Sequence, residues 1–395
     1  MSNTIADALK PYFYANEAIE ALHNVLGLAG RVHRGYDAER RSFGLGDTIK
    51  IPIPSTFTTG ALGTGTAQAL NTGEVEIKLT TGREVPFNVT DKELAWSGRQ
   101  LIDMHIMPAA YALANYIDQQ LVALAKDVPW FYDQAAAAMT YDDFLAVRRV
   151  LRENAGAIIE AGDNHFAVDA KAEAALLGMD AFKNVAASGQ SDSLIRGSLG
   201  MRAGIQPFVN SNLPTHISGT VVSAGTDNVG ALSADAAKGA TSIAIDSLSG
   251  TETLKKGDTF IIAGNTQRYV VAADKALASG AATIEIFPPL VQAHDDNDVV
   301  TFEDGSGTAI HADKYATNLL FNRGWAALAF APLPEIGNGR GVDMATVTDP
   351  FTGISLRSRI AYVNSSASVT VTLDVLFGVK TLDPNKAVVY RRDVA

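Results

Sequence analysis

Apolar and polar residues alternate along short stretches near the N-terminal end of the chain. Ile49, Ile51 and Ile53 are separated by a lysine and a proline, and this period of two predicts a strand. Residues 75–79 and 85–89 repeat the alternation. A proline cannot donate a hydrogen bond within a sheet, so the first strand is expected at a sheet edge.

The connection Thr56–Gly73 between these strands has no charged residue and is rich in glycine. It exceeds the length of about 15 residues beyond which structureless connections become uncommon in compact domains. With its flanking strands it predicts a long two-stranded arm, and Phe57, Leu62 and Leu70 are apolar residues of its tip. An isolated hairpin is marginal in water. We therefore expect the arm and these three residues to pack against a neighbouring subunit.

Helical spacing dominates the segment after the arm. A long helix containing Pro108 is predicted from Gly98 to Lys126. Its apolar stripe comprises Leu101, Ile102, Ile106, Leu113, Ile117, Leu121 and Leu124. A second helix is predicted from Thr140 to Gly156, because Thr140 and Asp143 have nearly the spacing and chemistry of a capping box. The further elements expected here are the strand His165–Val168 and the helix Lys171–Leu177.

A short helical pattern and a basic stretch precede the arm. Ile19, Leu22 and Leu26 recur at helical spacing. The arginines of the basic stretch are Arg31, Arg34, Arg40 and Arg41. One interpretation is a solvated loop, which the charge pattern alone favours. The other is a contact for an acidic surface of a partner subunit.

Helical periodicity is absent from Gly219 to Gly307. Strand-like runs occur there at Thr220–Ser223, Thr241–Asp246, Asp258–Ala263, Gln267–Ala272, Ala282–Phe287 and Val299–Phe302. This spacing indicates a small β-barrel or sandwich. The block holds most of the excess negative charge, and Asp295, Asp296 and Asp298 predict an acidic surface that faces water. These aspartates lack the glycine and the distal glutamate of a calcium-binding loop, so no metal is expected.

The chain after this block is first mixed and then strongly β. Ala309–Phe330 has a helix-like and mixed pattern, whereas residues 354–362 and 369–379 alternate as strands do. Helical elements on both sides of an all-β block indicate that the block is inserted into a host α+β domain.

Composition narrows the function classes. The 395 residues are 47% hydrophobic and 19% charged, which is typical of a globular protein. We expect neither a membrane span nor a secretory signal. A formal net charge of −11 argues against a dedicated nucleic-acid-binding protein, and the absence of cysteine excludes disulfides and thiolate chemistry.

Motifs that carry catalysis are missing or incomplete. After Gly63 and Gly65, Gln68 occupies the third glycine position of a dinucleotide-binding loop. Ser193 replaces the second glycine of a nucleophile elbow around Ser191. The sequence has no phosphate-binding loop and no two histidines four residues apart. It therefore favours neither an enzyme nor a protein with a cofactor.

Several stretches and the order of the elements resemble a known protein family. The stretches are GDTIKIPIP, VEIKLTTGREVPFNVTDKEL, FVNSNLP and LRSRIAYVNSSASVTVTLDVLFGVKTLDP. A helical arm, a glycine-tipped hairpin, a long helix, an α+β body, an acidic β block and C-terminal strands follow one another as in tailed-phage major capsid proteins. Within that family the chain most resembles the coat proteins of the Salmonella short-tailed phage and its relatives, which carry a β-barrel insertion domain.

The resemblance implies the tailed-phage capsid fold, sometimes called the Johnson fold. Its parts would be an N-terminal arm (1–45), an extended loop (46–92), the spine helix and first part of the body (93–218), an inserted β-barrel (219–307) and the remaining body with C-terminal strands (308–395). It implies hexamers and pentamers that assemble with a scaffolding protein and a portal in the bacterial cytoplasm. The resulting virion shell would enclose double-stranded DNA without reading its sequence and without a membrane.

Two other functions stay open at this point. Encapsulins share the fold and form cages for protein cargo. A hydrolase or binding module with a carbohydrate-recognising β insert would instead be a discrete monomer. Packaged contents distinguish an encapsulin, which holds protein cargo, from a phage shell, which holds DNA. A hydrolase or binding module would form no particles.

Overall fold

The protein combines helices and strands in an α+β fold, as the sequence predicts at this level. The computed structural model describes residues 11–25, 27–35, 47–53, 59, 67, 73–93, 100–134, 138–154, 163–184, 196–223, 228–248, 250–303, 314–335, 342–348 and 353–394. The helices are α1 (Pro11–Val25), α2 (Gln100–Ala123), α3 (Tyr141–Asn154), α4 (Ala170–Gly178), α5 (Asp180–Lys183) and α6 (Thr220–Ser223). The strands are β1 (Thr48–Ile53), β2 (Gly73–Lys78), β3 (Thr81–Thr90), β4 (Phe131–Asp133), β5 (Asn164–Val168), β6 (Gln206–Val209), β7 (Thr215–Ile217), β8 (Val229–Leu232), β9 (Ser242–Asp246), β10 (Thr253–Leu254), β11 (Thr259–Ile262), β12 (Arg268–Val271), β13 (Lys275–Ala276), β14 (Ala282–Phe287), β15 (Val299–Glu303), β16 (Lys314–Asn322), β17 (Ala326–Phe330), β18 (Val342–Thr348), β19 (Ser355–Val363), β20 (Ser368–Thr381) and β21 (Ala387–Asp393).

The chain divides into two units, of which the first comprises Met1–Asp118 and Ala327–Leu382. Its main sheet has the order β17-β20-β19-β18, and β3 also pairs with β20. The β3–β20 pair is antiparallel and runs from Thr90↔Ser368 to Thr81↔Phe377. Helix α1 lies against β18 and β19. The long alternation in the sequence thus becomes the central strand of this sheet.

The first unit also contains the base of the predicted arm. Strands β1 and β2 pair antiparallel from Thr48↔Lys78 to Ile53↔Gly73. This pairing confirms the two flanking strands that the alternating isoleucines predict. The hairpin register is set by the apolar face, because a slip of one residue would turn that face away from the body.

Helix α2 is continuous through Pro108 and ends in a 3₁₀ turn at Leu124–Asp127. The sequence predicts this helix with nearly the same bounds. A proline follows two residues later, and the residue before a proline disfavours helical geometry. Among the described residues, no helix combines the length and apolarity needed to cross a bilayer.

The second unit, Gln119–Ala326 with Asp383–Ala395, contains a sheet of order β4-β21-β16-β5-β6, and β7 also pairs with β16. Helices α3, α4 and α5 share one apolar core with this sheet. The backbone N–H of Thr140 donates to Asp143 Oδ2 at 2.9 Å, and the backbone N–H of Asp143 donates to Thr140 Oγ1 at 3.2 Å. The capping box predicted at the start of α3 is confirmed.

The helix-like interpretation of Ala309–Phe330 is wrong, because β16 and β17 are strands. Leu319, Leu320 and Phe321 are all buried. Strand β16 pairs with β21 and β5, so it lies inside the sheet. Seven consecutive residues of the strand are buried, so both of its faces are covered. A strand buried on both faces has a continuous apolar run instead of an alternation, which explains the misassignment.

The all-β segment of this unit forms a closed barrel in the order β11-β12-β14-β9-β8-β15. Its core is one cluster that includes Phe260, Tyr269 and Phe302. The strand predicted at Thr220–Ser223 is wrong, because these residues form helix α6 and the sixth barrel strand is β8. Val221 and Val222 are consecutive and both buried, which a strand with one covered face cannot achieve.

Candidate assembly surfaces

Helix α2 carries apolar residues on two opposite faces. Within the first unit, its buried apolar residues are Ile106, Ala109, Ala110, Leu113, Ala114 and Ile117. On the other side, Met104, Met107 and Tyr111 are 71, 52 and 58% exposed. Together with exposed Pro108 they follow the i, i+3, i+4, i+7 spacing of one helix face. We call these four residues the outer stripe.

The outer stripe has the chemistry of an interface. Methionine and aromatic side chains are enriched at the cores of protein–protein interfaces. Single exposed apolar residues are ordinary, whereas a contiguous set marks a surface that another molecule covers. The neighbouring His105 has its ring centroid 6.0 Å from that of Phe87 on β3. The stripe is therefore presented by a helix that the first unit holds in place.

The apolar face of the β1–β2 hairpin is buried against its own chain. Ile49, Ile51 and Ile77 are at most 9% exposed and share a cluster with alanines of β17. Gly378 on β20 permits this approach, since a Cβ there would lie 2.3 Å from the Lys78 carbonyl oxygen. The expectation that the arm needs another subunit to cover its apolar residues is thus wrong for its base, because small alanines leave room for the isoleucines.

Several predicted contact residues lie outside the described part of the chain: Phe57, Leu62, Leu70, Arg40 and Arg41. Arg31 and Arg34 lie within it, and both contact their own chain. Arg31 Nη1 donates to the Gly27 carbonyl at 2.5 Å, and burial lowers the pKa of Arg31 while Asp118 opposes that shift. The Arg34 guanidinium carbon lies 5.3 Å from the centre of the Phe330 ring. Contacts of all these residues with a second subunit stay predictions.

The predicted acidic surface is a hydrogen-bonded turn on the barrel. Asp298 Oδ2 lies 3.0 Å from Nδ1 of buried His294 and accepts the backbone N–H of Asp295 at 3.2 Å. The backbone N–H of Asp296 donates to Asp235 Oδ1 at 2.9 Å. In the described portion of the chain, no group of three or more histidine, aspartate or glutamate side chains is placed to hold a metal ion. The turn is explained by its own hydrogen bonds.

Buried polar contacts join the barrel to the sheet of the second unit. His216 Nε2 and Asp258 Oδ1 are 3.0 Å apart, and both side chains are buried. Asp258 Oδ2 accepts two backbone N–H groups at 3.1 and 2.7 Å. On the same side, Arg391 Nη2 donates to Thr259 Oγ1 at 2.9 Å. These contacts form a polar junction that makes the barrel and the sheet parts of one unit.

Sequence reasoning misses both the outer stripe and the polar junction. The stripe has a signal, because Met104, Met107, Pro108 and Tyr111 form a second helical face beside the stripe that was recognised. The junction has no local signal, because its residues come from β7, from β11 and the residue before it, and from β21, which are far apart in the sequence.

No protein-family model matches this chain, and no curated protein matches it. Among solved structures, similar chains occur in one described as Mycobacterium phage Che8, with a TM-score of 0.49, 12% identity, and coverage of 92% of this chain and 90% of that one. For the capsid of cyanophage P-SCSP1u the TM-score is 0.47 and the identity is 13%, with coverage of 89% of this chain and 85% of that one. For a virus-like particle from Pyrococcus furiosus the TM-score is 0.43 and the identity is 8%, with coverage of 96% of this chain and 98% of that one. With TM-scores below 0.5, the function is argued from the geometry of the chain itself.

Proposed function

We propose that this chain is the structural subunit of a closed icosahedral shell, the major capsid protein of a tailed bacteriophage, and that it is not an enzyme. The outer stripe of α2 carries the proposal. It is an exposed apolar face on a long helix whose opposite face is already buried in the first unit. Such a face is the same in every copy, and repeated identical faces are what a symmetric assembly uses.

The occupant that we infer for the outer stripe is a second copy of this chain. The apolar tip residues Phe57, Leu62 and Leu70 belong to a connection whose base, the β1–β2 hairpin, is anchored to the body. An anchored base with an uncharged apolar tip is suited to reach over a neighbour. The layout that resembles tailed-phage capsid proteins supports the same arrangement.

The finer parts of the proposal follow from that resemblance. The barrel would be the insertion domain found in coat proteins of the Salmonella short-tailed phage and its relatives. Hexamers and pentamers would assemble with a scaffolding protein and a portal in the bacterial cytoplasm, and the finished shell would enclose double-stranded DNA. A net charge of −11 suits a shell that confines DNA without gripping its phosphates.

Electron microscopy of the purified chain, alone and with the scaffolding protein of its own gene neighbourhood, tests the proposal. Closed particles of uniform size are expected. Nuclease-protected genomic DNA in particles from infected cells supports the phage shell, whereas protein cargo supports an encapsulin. A chain that stays monomeric under both conditions contradicts both and favours a binding module.

Deletion of residues 58–71 tests the arm separately. The register of β1 with β2 lies outside the deletion, so the isolated chain should keep its unfolding temperature. Shells of the deletion variant should fail to form or should dissociate at lower denaturant concentration. Shells of normal size and stability would exclude a role for the tip in subunit contact.

A further inference from the structure

A small polar cavity lies where the barrel meets the sheet of the second unit. Its volume is about 10 Å³, which is room for roughly one water-sized occupant. The polar side chains that line it are Lys126, His216, Tyr315, Thr317 and Arg391. Its lining therefore includes two cationic side chains and one histidine, and it includes no carboxylate.

Arg391 brings a buried positive charge into this region. It is 3% exposed, and it forms no ion pair with the residues that the structure describes. Nη2 binds Thr259, but Nε is buried without a hydrogen-bond partner. The guanidinium carbon lies 3.5 Å from the centre of the Phe131 ring and 4.7 Å from that of Tyr315. Ring contacts stabilise a cation but do not neutralise it, and arginine does not lose its proton. A counter-ion in the cavity would lower this cost.

Among the residues that the structure describes, the acidic groups of this region make no direct ion pair with Arg391. Asp258 is committed to His216 and to two backbone N–H groups. Burial above all raises the pKa of Tyr315 to about 12, and the negative charges of Asp258 and Asp133 add to that rise. The Tyr315 hydroxyl therefore keeps its proton at neutral pH and can donate it to an acceptor in the cavity.

We propose that the cavity binds a monatomic anion, and that chloride is its ordinary occupant. The anion would accept the orphaned N–H of Arg391 and lie beside Lys126. A volume of about 10 Å³ is too small for phosphate, sulfate or a carboxylate. Gly257 keeps the space open, because a Cβ there would lie 3.0 Å from His216 Cε1. Two cations and an orphaned donor in the lining itself, with Asp258 and Asp133 outside it, favour an anion over a water molecule.

Thermal unfolding of the full chain tests the proposal, with sodium chloride titrated against sodium gluconate at constant ionic strength. A saturable rise in Tm is expected with chloride, because a ligand that binds only the folded state stabilises it. The linewidth of the ³⁵Cl NMR signal should broaden with the same saturation. Lys126→Met should raise the half-saturating chloride concentration about tenfold, through the loss of one nearby charge. Arg391→Met should abolish both signals.

Lys275→Met is the matched control, because Lys275 is an exposed lysine on β13. It should leave both chloride titrations unchanged. Equal Tm values in chloride and gluconate without saturable broadening would overturn the proposal and leave the cavity to water. Chloride binding that is unaltered in Lys126→Met would also overturn it, by placing the ion elsewhere. Because Lys126 is only half-buried, that variant decides the question even where Arg391→Met fails to fold.

Discussion

Burial of the outer stripe between subunits, as proposed above, would contribute to the free energy of assembly, and two substitutions would remove that contribution. In Met104→Gln with Met107→Gln, side chains of similar length and helix propensity replace the methionines. Full burial of a methionine is worth about 1.5–3 kcal/mol. Exposed fractions of 71 and 52% leave about 2–4 kcal/mol for the pair to gain on assembly. Since 1.4 kcal/mol is a factor of ten, the concentration needed for assembly should rise about 30- to 700-fold.

The assay is light scattering over a dilution series, with electron micrographs at each plateau. The free energy of unfolding of the unassembled double variant, measured in urea, should stay within about 0.5 kcal/mol of that of the parent chain, because substitutions at exposed positions change stability little. Met201→Gln is the control, since Met201 is also 50% exposed but lies outside α2. The reasoning is refuted when the double variant assembles within twofold of the parent concentration, or when Met201→Gln raises that concentration equally.

Three further substitutions test the internal structure. Gly378→Ala should lower the free energy of unfolding by about 1–3 kcal/mol through overpacking against Lys78, and it should speed hydrogen exchange in β1 and β2. Gly82→Ala is the control, because a Cβ there meets no atom closer than 4.0 Å and should have neither effect. Equal exchange rates in the two variants would contradict the close packing at Gly378. The pKa of Tyr315 is about 12 in the folded chain and about 10 in the unfolded chain. This difference contributes about 3 kcal/mol to the free energy of unfolding below pH 10, and the contribution is lost as the pH rises to 12. The free energy of unfolding from urea titrations should therefore fall less steeply between pH 9 and 11.5 in Tyr315→Phe than in the parent chain. Parallel pH dependences of the two chains would contradict this prediction. Thr140→Ala should lower the free energy of unfolding by about 1 kcal/mol through loss of the helix cap. An unchanged urea midpoint would show that the cap does not stabilise the protein.

Sequence patterns predict the elements that have one buried and one exposed face. The alternation at Ile49 and Ile51 survives in β1 because only one face of the hairpin meets the body. The capping box of α3 is predicted because both of its partners lie within four residues of each other. In these cases the local chain contains the whole physical cause.

Prediction fails where the cause lies elsewhere in the fold. Strand β16 loses its alternation because β5 and β21 flank it and both faces are covered. Val221 and Val222 read as a strand, but helix α6 buries both against the barrel core. The outer stripe is missed for a different reason, since one amphipathic face satisfies the usual expectation for a helix and a second face is not sought.

The acidic barrel does not turn every carboxylate toward water. Asp295 and Asp296 are exposed, whereas Asp258 points inward and accepts three hydrogen bonds at the polar junction. Excision of residues 219–307 would remove Asp258 and Thr259, the partners of His216 and Arg391, and would expose this side of the sheet. Misfolding of that deletion would therefore report the lost junction and would not by itself show a role of the barrel in assembly. Asp296→Asn on the exposed turn leaves the junction intact, and a change in shell assembly by that variant would therefore identify a barrel surface that contacts a partner.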